Sequence, residues 1–467
     1  MSREGNLAKN SLVLALGTFL PKLVSFITLP IITGYLSKEE YGTYDLILVL
    51  VSLVLPIATL QIQTAAFRFL VDVRKDDREI KRVISNIFAF ILPVSIVALI
   101  ILFFVMRNVS VAVRICVCLY FLGDILVNAV RQIVRGLSRN LDYSISAIIS
   151  SVGQMLLVVL LVYYYKTSLL GSIIALAASE FIAFTYLFLR VRLYRYINLD
   201  ALDKSYLKEM LGYSWPMVPN SLSMWVMRLS DRLVLVFFMG TAVNAVYGVA
   251  NKIPQILTLA QSTFSMAWQE NASIVSKDKD ADQYYSSMFG SIFNLMVGLM
   301  SLLIGTTPIL FRLLIRGDYD DAYNHIPILL MAMLFYSCSS FMGGIYVAFK
   351  HTKSVGMTTL AAAVCNLLID LSCIHFIGIY AASLSTLISY ILLFVFRMLD
   401  VRKFVNIKYE TKHIFIMLAI LSAQCGLCML RMWQVDLANI LLACYLLFRY
   451  NKPLLNAGLK IVKKKLG

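Results

Sequence analysis

The segment YSWPMVPNSLSMWVMRLSDRLVLVFF, residues 213–238, combines the two features that decide the fold and chemistry of this chain. Its length and apolar content are those of a helix that crosses a bilayer, which takes about 20 residues. It also carries Arg228, Asp231 and Arg232, whose i, i+3 and i+4 spacing places them on one helical face. Each charge costs at least about 2.5–3.5 kcal/mol at membrane depth, so this face is expected to line a functional interior.

The same apolar pattern extends over the whole chain. Apolar residues make up 60% of the 467 positions and charged residues 15%, against about 25% in a soluble domain. Backbone groups in lipid must bond within their own segment, so we predict an all-α polytopic membrane protein with about 14 transmembrane helices. The predicted spans are 10–36, 43–67, 83–106, 111–132, 144–165, 168–189, 213–238, 242–268, 284–311, 325–349, 354–375, 377–397, 411–430 and 434–449.

The polar residues between the sixth and seventh spans suggest a division into two lobes. We predict an N-terminal six-helix lobe at 1–190, a cytoplasmic linker at 191–212, a C-terminal six-helix lobe at 213–400, and two extra helices with a basic cytoplasmic tail at 401–467. Residues 35–44 and 238–247 have similar patterns and lie six helices apart. This spacing indicates two parallel repeats.

The formal net charge of +16 is explained by topology. Most of the 42 lysines and arginines lie on one side of the predicted spans, which places both termini in the cytoplasm. The excess positive charge on the cytoplasmic side is also expected to attract anionic membrane lipids. We therefore predict no nucleic-acid partner.

Catalytic and cofactor motifs are missing from the sequence. It contains four histidines and neither an HExxH nor a GxxxxGK[ST] pattern. The eight cysteines lie in or beside apolar runs, where they are expected to be small packing residues. We therefore predict no cofactor, no metal site and no enzymatic activity.

Polar residues in the eighth predicted span form a stripe at helical spacing, with Lys252 beside Asn251. A stripe along a whole span is more than helix packing requires, so it predicts a wet cavity. Its members are Asn244, Tyr247, Asn251, Gln255, Thr258, Ser262, Ser265 and Gln269.

Further charges lie within other predicted spans. Lys22 and Arg68 are candidates for binding substrate together with Arg228, Arg232, Asn251 and Lys252, because an excess of cations suits a phosphate group. The acidic candidates are Asp124, Glu180, Asp231 and Asp370. Each acidic residue has two interpretations: it takes part in ion coupling, or it pairs with a cation, as Asp231 would with Arg228.

Several motifs resemble those of the bacterial polysaccharide-export flippases, in the multidrug/oligosaccharidyl-lipid/polysaccharide exporter superfamily. They are Leu20-Pro21-Lys22, Leu29-Pro30, Tyr41-Gly42-Thr43-Tyr44, Tyr213 to Ser221 and Ser230-Asp231-Arg232. The resemblance is strongest over residues 9–70 and 207–270.

This resemblance implies alternating access between two six-helix lobes in the bacterial cytoplasmic membrane. The implied cargo is an oligosaccharide on undecaprenyl pyrophosphate, such as an O-antigen, lipopolysaccharide or capsule repeat unit. Polysaccharide polymerases are the partner proteins that such a pathway implies. Members of this family commonly use cationic residues in the central cavity. The resemblance carries that role over to Lys22, Arg228, Arg232 and Lys252.

Other functions remain open at this level. A cation-coupled multidrug exporter of the same fold would be expected to rely on buried carboxylates. A membrane-embedded glycosyltransferase or polymerase would be expected to carry larger acidic or histidine-bearing outer loops than residues 312–324 provide. A scaffold for an envelope-synthesis complex would not need the polar stripe of the eighth span.

The charge asymmetry predicts that a cysteine introduced at position 204 lies in the cytoplasm. A membrane-impermeant maleimide added to intact cells should therefore not label Lys204→Cys above the parent protein, but should label it after permeabilisation. Equal labelling in intact and permeabilised cells would show that the orientation is wrong.

Overall fold

The computed structural model describes residues 3–107, 109–276, 278 and 280–466, with side chains at 17–107, 109–258, 261, 264–265, 268–269, 271–276, 278, 280–351 and 353–452. Its α-helices are α1 Arg3–Tyr35, α2 Lys38–Thr59, α3 Ile62–Val73, α4 Asp77–Val105, α5 Val111–Gly136, α6 Asn140–Val158, α7 Ser168–Arg190, α8 Lys204–Ser214, α9 Met217–Met239, α10 Thr241–Ala250, α11 Lys252–Val275, α12 Ala281–Leu314, α13 Asp320–Ala348, α14 Thr352–Ile377, α15 Ile379–Asp400, α16 Thr411–Cys428 and α17 Trp433–Leu466.

The helices confirm an all-α polytopic membrane protein. Among the described residues, 11 helical segments are long and apolar enough to cross a membrane. The predicted spans at 213–238, 242–268 and 434–449 are not in that set, and the total of about 14 is compatible with the helices present. Charge explains the first of these exceptions, because α9 carries three charged residues.

The second predicted span, 43–67, is wrong as a continuous helix. The chain breaks between α2 and α3 at Leu60 and Gln61, which both adopt left-handed backbone conformations with φ of 46° and 58°. Such a conformation costs about 1–2 kcal/mol for a residue with a side chain. Within this break the Gln61 amide donates to Ser221 Oγ at 3.1 Å, and Gln63 donates to Gln61 Oε1 at 3.3 Å.

The eighth predicted span, 242–268, is also interrupted. α10 ends at Ala250, and α11 begins at Lys252. The Asn251 side-chain amide donates to the Tyr247 carbonyl at 2.9 Å. Pro254, which has no backbone N–H, lies in the first turn of α11, a position that suits proline better than the middle of a helix. Thus the second helix of each predicted repeat is discontinuous.

The helices form two compact units, Met1–Trp225 and Val226–Gly467. In the first unit α1 packs on α6 and α5 packs on α7, while in the second α13 packs on α15 and α12 on α17. The division falls within α9, whereas the sequence placed the lobe boundaries at residues 190 and 213. Those boundaries stay a prediction.

The segment after α7 is attached to the first unit by specific bonds. Arg82 of α4 forms an ion pair with Asp203 at 2.5 Å, and the Asn86 amide donates to the Ala201 carbonyl at 3.3 Å. The hydrogen bond from Arg82 lowers the pKa of Asp203, so this carboxylate stays charged to lower pH than usual. Residues 191–203 therefore have defined contacts despite their polar sequence.

The C-terminal helix packs closely against α12 in the second unit. A Cβ atom at Gly298 would lie 2.8 Å from Leu447, and one at Gly305 would lie 3.0 Å from the backbone of Ile440. Between these glycines, Ser301 donates to Gln424 Oε1 of α16 at 2.8 Å. Small residues at such positions allow membrane helices to approach closely enough for van der Waals contact.

Candidate transport site

Asp231 of α9 is the centre of a polar cluster within the second unit. Its side chain is 3% exposed, and its Oδ2 accepts hydrogen bonds from Tyr247 and Thr386 hydroxyls, each at 2.7 Å. With the Asn366 amide turned to satisfy both of its polar atoms, its nitrogen donates to Asp231 Oδ1 at 2.8 Å. Donors from α10, α14 and α15 thus surround one carboxylate of α9.

Asp370 lies one helical turn after Asn366 on α14 and is 0% exposed. Neither of its carboxylate oxygens has a hydrogen-bond partner among the described residues. The nearby charge of Asp231 repels it, which adds to the cost of burial. The pair is therefore a buried site of negative charge that a proton or a small cation would stabilise.

Arg228 has a different environment from Asp231 although both lie on α9. It is exposed in the second unit, and its guanidinium donates a hydrogen bond to the Tyr336 hydroxyl of α13. The guanidinium also lies 5.4 Å from the centre of the Tyr336 ring. The ion pair with Asp231 that the sequence offered as one interpretation is therefore not the arrangement found, because Asp231 bonds to neutral donors and Arg228 to a phenol.

The other basic candidates of the second unit occupy separate positions. Arg232 is buried, at 6% exposed, although it lies one turn from the exposed Arg228. Its charge acts favourably on Asp231. Lys252 is the first residue of α11, at the break where Asn251 bonds to Tyr247. Ser262 of the predicted polar stripe lies outside the described side chains.

The candidate cations of the first unit are less suited to a buried site. Lys22 of α1 is exposed and follows Pro21, which lies inside the helix. Arg68 forms an ion pair with Asp72 at 2.6 Å, and these side chains are 50% and 61% exposed. Arg68 therefore pairs with its neighbour one turn along α3, and its depth in the membrane stays a prediction.

The two acidic candidates of the first unit each have polar partners, and they repel each other. Glu180 of α7 accepts a hydrogen bond from Ser150 at 2.7 Å and lies 3.9 Å from the Arg131 guanidinium. Asp124 of α5 accepts from the Asn128 amide at 2.7 Å. These contacts agree with the interpretation of Glu180 as a residue that neutralises an arginine across the helix bundle.

Three residues of the second-unit cluster were not recognised from the sequence, namely Tyr336, Asn366 and Thr386. A tyrosine or threonine in an apolar helix is common, so neither gives a signal alone. Asn366 and Asp370 are separated by four residues, which places both on one face of α14. That spacing was the available indication that Asp370 belongs to a larger site.

Comparison with known proteins places these features in a family context. A family model described as polysaccharide biosynthesis protein matches residues 7–270. Curated protein sequences give no match to this chain.

Solved structures share the fold at low sequence identity. The lipid II flippase MurJ in an inward closed conformation has a TM-score of 0.71 and 13% identity, covering 94% of this chain and 99% of that one. An inward-facing multidrug resistance MATE family transporter of the MOP superfamily has a TM-score of 0.68 and 12% identity, covering 82% and 95%. Its outward-facing counterpart has a TM-score of 0.60 and 14% identity, covering 85% and 94%.

The bonding of the two aspartates predicts opposite effects on stability. Asp231→Ala removes the acceptor for Tyr247, Thr386 and Asn366, and should destabilise the protein by about 1–3 kcal/mol. Asp370→Asn removes a buried, repelled charge with little change of shape, and should leave stability equal or higher. Thermal unfolding of the purified proteins tests this at neutral pH. An Asp370→Asn protein that unfolds as early as Asp231→Ala would contradict the assignment.

Proposed function

Since the chain belongs to the polysaccharide biosynthesis protein family, within the superfamily of MATE transporters and lipid II flippases, we propose that it is a lipid-linked oligosaccharide flippase. It moves undecaprenyl-pyrophosphate-bound repeat units from the inner to the outer leaflet of the bacterial cytoplasmic membrane. The product serves surface polysaccharide synthesis, such as O-antigen or capsule. Transport proceeds by alternating access and involves no covalent chemistry.

The observation that carries this proposal is the state of Arg228. It is an exposed arginine on a membrane helix, and its partner is a neutral phenol rather than a carboxylate. A guanidinium keeps its charge at any physiological pH and presents a planar fork that fits phosphate oxygens. The pyrophosphate of the carrier lipid carries the negative charge that Arg228 would bind. A neutral sugar carries no such charge.

The other candidate residues are expected to contribute to substrate binding to different extents. Arg232, one turn after Arg228 on α9, and Lys252, at the start of α11, contribute further positive charge, and Asn251 supplies an amide at the break between α10 and α11. Lys22 provides a cation in the first unit, where its exposure leaves it accessible to substrate. Arg68 is the weakest candidate, because Asp72 already matches its charge.

Asp231 and Asp370 are proposed as the coupling site. The pair offers carboxylate oxygens, and Asn366 and Thr386 add amide and hydroxyl groups around it. Oxygen donors of this type suit a proton or a hard cation such as Na⁺. A proton or cation bound to the pair relieves the repulsion between the two buried charges. Its binding therefore favours the arrangement of α9, α14 and α15 in which the two carboxylates lie close together. Asp124 and Glu180 are assigned a structural role instead.

A cation-coupled multidrug exporter is the second candidate, and the same carboxylate pair favours it. Such a transporter would be expected to bind an organic cation, which the exposed charge of Arg228 opposes by repulsion. The two functions therefore differ in the sign of the cargo that they accept. Competition by cationic drugs against the lipid-linked sugar distinguishes them.

Transport in vesicles tests the flippase directly. The purified protein should move a labelled undecaprenyl-pyrophosphate oligosaccharide across the bilayer of proteoliposomes. Arg228→Ala should lower the initial rate about 10- to 100-fold, since a hydrogen-bonded charge contributes about 1.5–3 kcal/mol. Arg228→Lys should recover part of it because charge is kept and the fork is lost. The exposed Arg402→Ala serves as a matched control with wild-type activity.

The same vesicles identify the coupling ion when a proton or sodium gradient is imposed separately. Asp370→Asn should transport at one rate with or without the gradient, while the wild-type protein accelerates. Wild-type rates for Arg228→Ala, or transport of cationic drugs in place of the lipid, would contradict the proposed function.

A further inference from the structure

We propose that Tyr336 is a second phosphate-binding residue, which donates a hydrogen bond to the same anion that Arg228 binds. The proposal rests on the assignment of Arg228 to a phosphate-bearing cargo and extends it to the neighbouring helix α13. No motif in the sequence marks Tyr336, and the inference comes from its contacts.

The first step is the direction of the hydrogen bond between the two side chains. A guanidinium can only donate, so the Tyr336 oxygen accepts from Arg228. The phenol keeps its own proton, which is then available to a further acceptor. A phosphate oxygen that contacts Arg228 from the same side meets this proton as well. The arginine and the tyrosine together therefore present adjacent donors to one anion.

The second step is that the phenol occupies a fixed position. The Tyr336 ring packs against Tyr390 of α15, with ring centres 5.1 Å apart and planes inclined by 40°. Tyr390 is 3% exposed, so this support is buried, while Tyr336 itself is partly exposed and accessible. A donor whose ring is already ordered loses little conformational freedom when the ligand binds, which favours affinity.

The third step links this donor to the carboxylate pair. Thr386, which bonds Asp231, lies one helical turn before Tyr390 on α15. A shift of α15 that follows neutralisation of Asp231 and Asp370 therefore also moves the ring that supports Tyr336. The phosphate donors and the proposed coupling site therefore both contact α15.

Ligand binding in nanodiscs of phosphatidylcholine tests the proposal, with undecaprenyl pyrophosphate as the probe and undecaprenol as its uncharged match. Tyr336→Phe keeps the ring and removes only the hydroxyl group. It should weaken binding of undecaprenyl pyrophosphate about tenfold, equal to about 1.4 kcal/mol. Binding of undecaprenol should be unchanged. Tyr445→Phe removes a hydroxyl group from an exposed tyrosine of α17, outside these contacts, and is the matched control, with wild-type affinity for both lipids.

A double variant shows whether both residues contact one anion. In the Arg228→Ala protein, Tyr336→Phe should weaken binding less than twofold, because the anion is no longer held beside the phenol. Inorganic pyrophosphate should compete with the lipid in the wild-type protein and compete about tenfold less well in Tyr336→Phe.

Distinct results overturn the inference and the proposed function. Wild-type affinity of Tyr336→Phe for undecaprenyl pyrophosphate overturns the role of Tyr336 and leaves the flippase intact. An equal loss for undecaprenol and undecaprenyl pyrophosphate assigns the residue to packing and also overturns the inference. A wild-type protein that binds the alcohol and the pyrophosphate equally would overturn the phosphate cargo itself.

Discussion

The cost of placing charge between membrane helices is the constraint on which this structure depends. Every ionisable group within the spans must find water, an opposite charge or several neutral donors. Asp231 takes the last route, with hydroxyl and amide groups from three other helices around it. These bonds connect α9, α10, α14 and α15, so one carboxylate joins four helices of the second unit. Asp370 lacks such partners among the described residues, and the site therefore has a charge to neutralise.

The sequence predicted the fold, and it singled out the helix on which the candidate site lies, because long apolar runs and isolated charges are strong signals. It was wrong about the continuity of the spans at Leu60–Gln61 and at Asn251. At the first break the Gln61 side chain bonds to Ser221 of α9, and at the second Asn251 bonds back to the Tyr247 carbonyl. Helical spacing also suggested an ion pair between Arg228 and Asp231. Spacing gives the face of a helix but not the rotamer, and the neighbouring helices supply better partners for each residue.

The two units manage their charges differently. In the first unit Glu180 has Arg131 and Ser150, and Arg68 has Asp72, so each of these charges has an opposite charge beside it, while Glu180 also repels the buried Asp124. In the second unit Arg228 bonds a phenol and Asp370 remains unbonded among the described residues. A charge that lacks an opposite charge within the protein can be neutralised by a substrate or ion, which suits transport. Charges that are paired within the protein hold helices together instead. This contrast concentrates the candidate chemistry in the second unit.

The close contact between α12 and α17 bears on how the protein is made. Gly298 and Gly305 leave no room for a larger side chain beside α17, and the α12 residue Ser301 bonds to Gln424, which lies 123 residues later in the chain. During synthesis α12 therefore enters the bilayer long before its partner helix has been translated. Until then Gly298 and Gly305 lack the helix that covers them in the folded protein. Completion of the second unit is a late, post-insertion event, and ribosome stalling before α17 would yield an incompletely packed transporter.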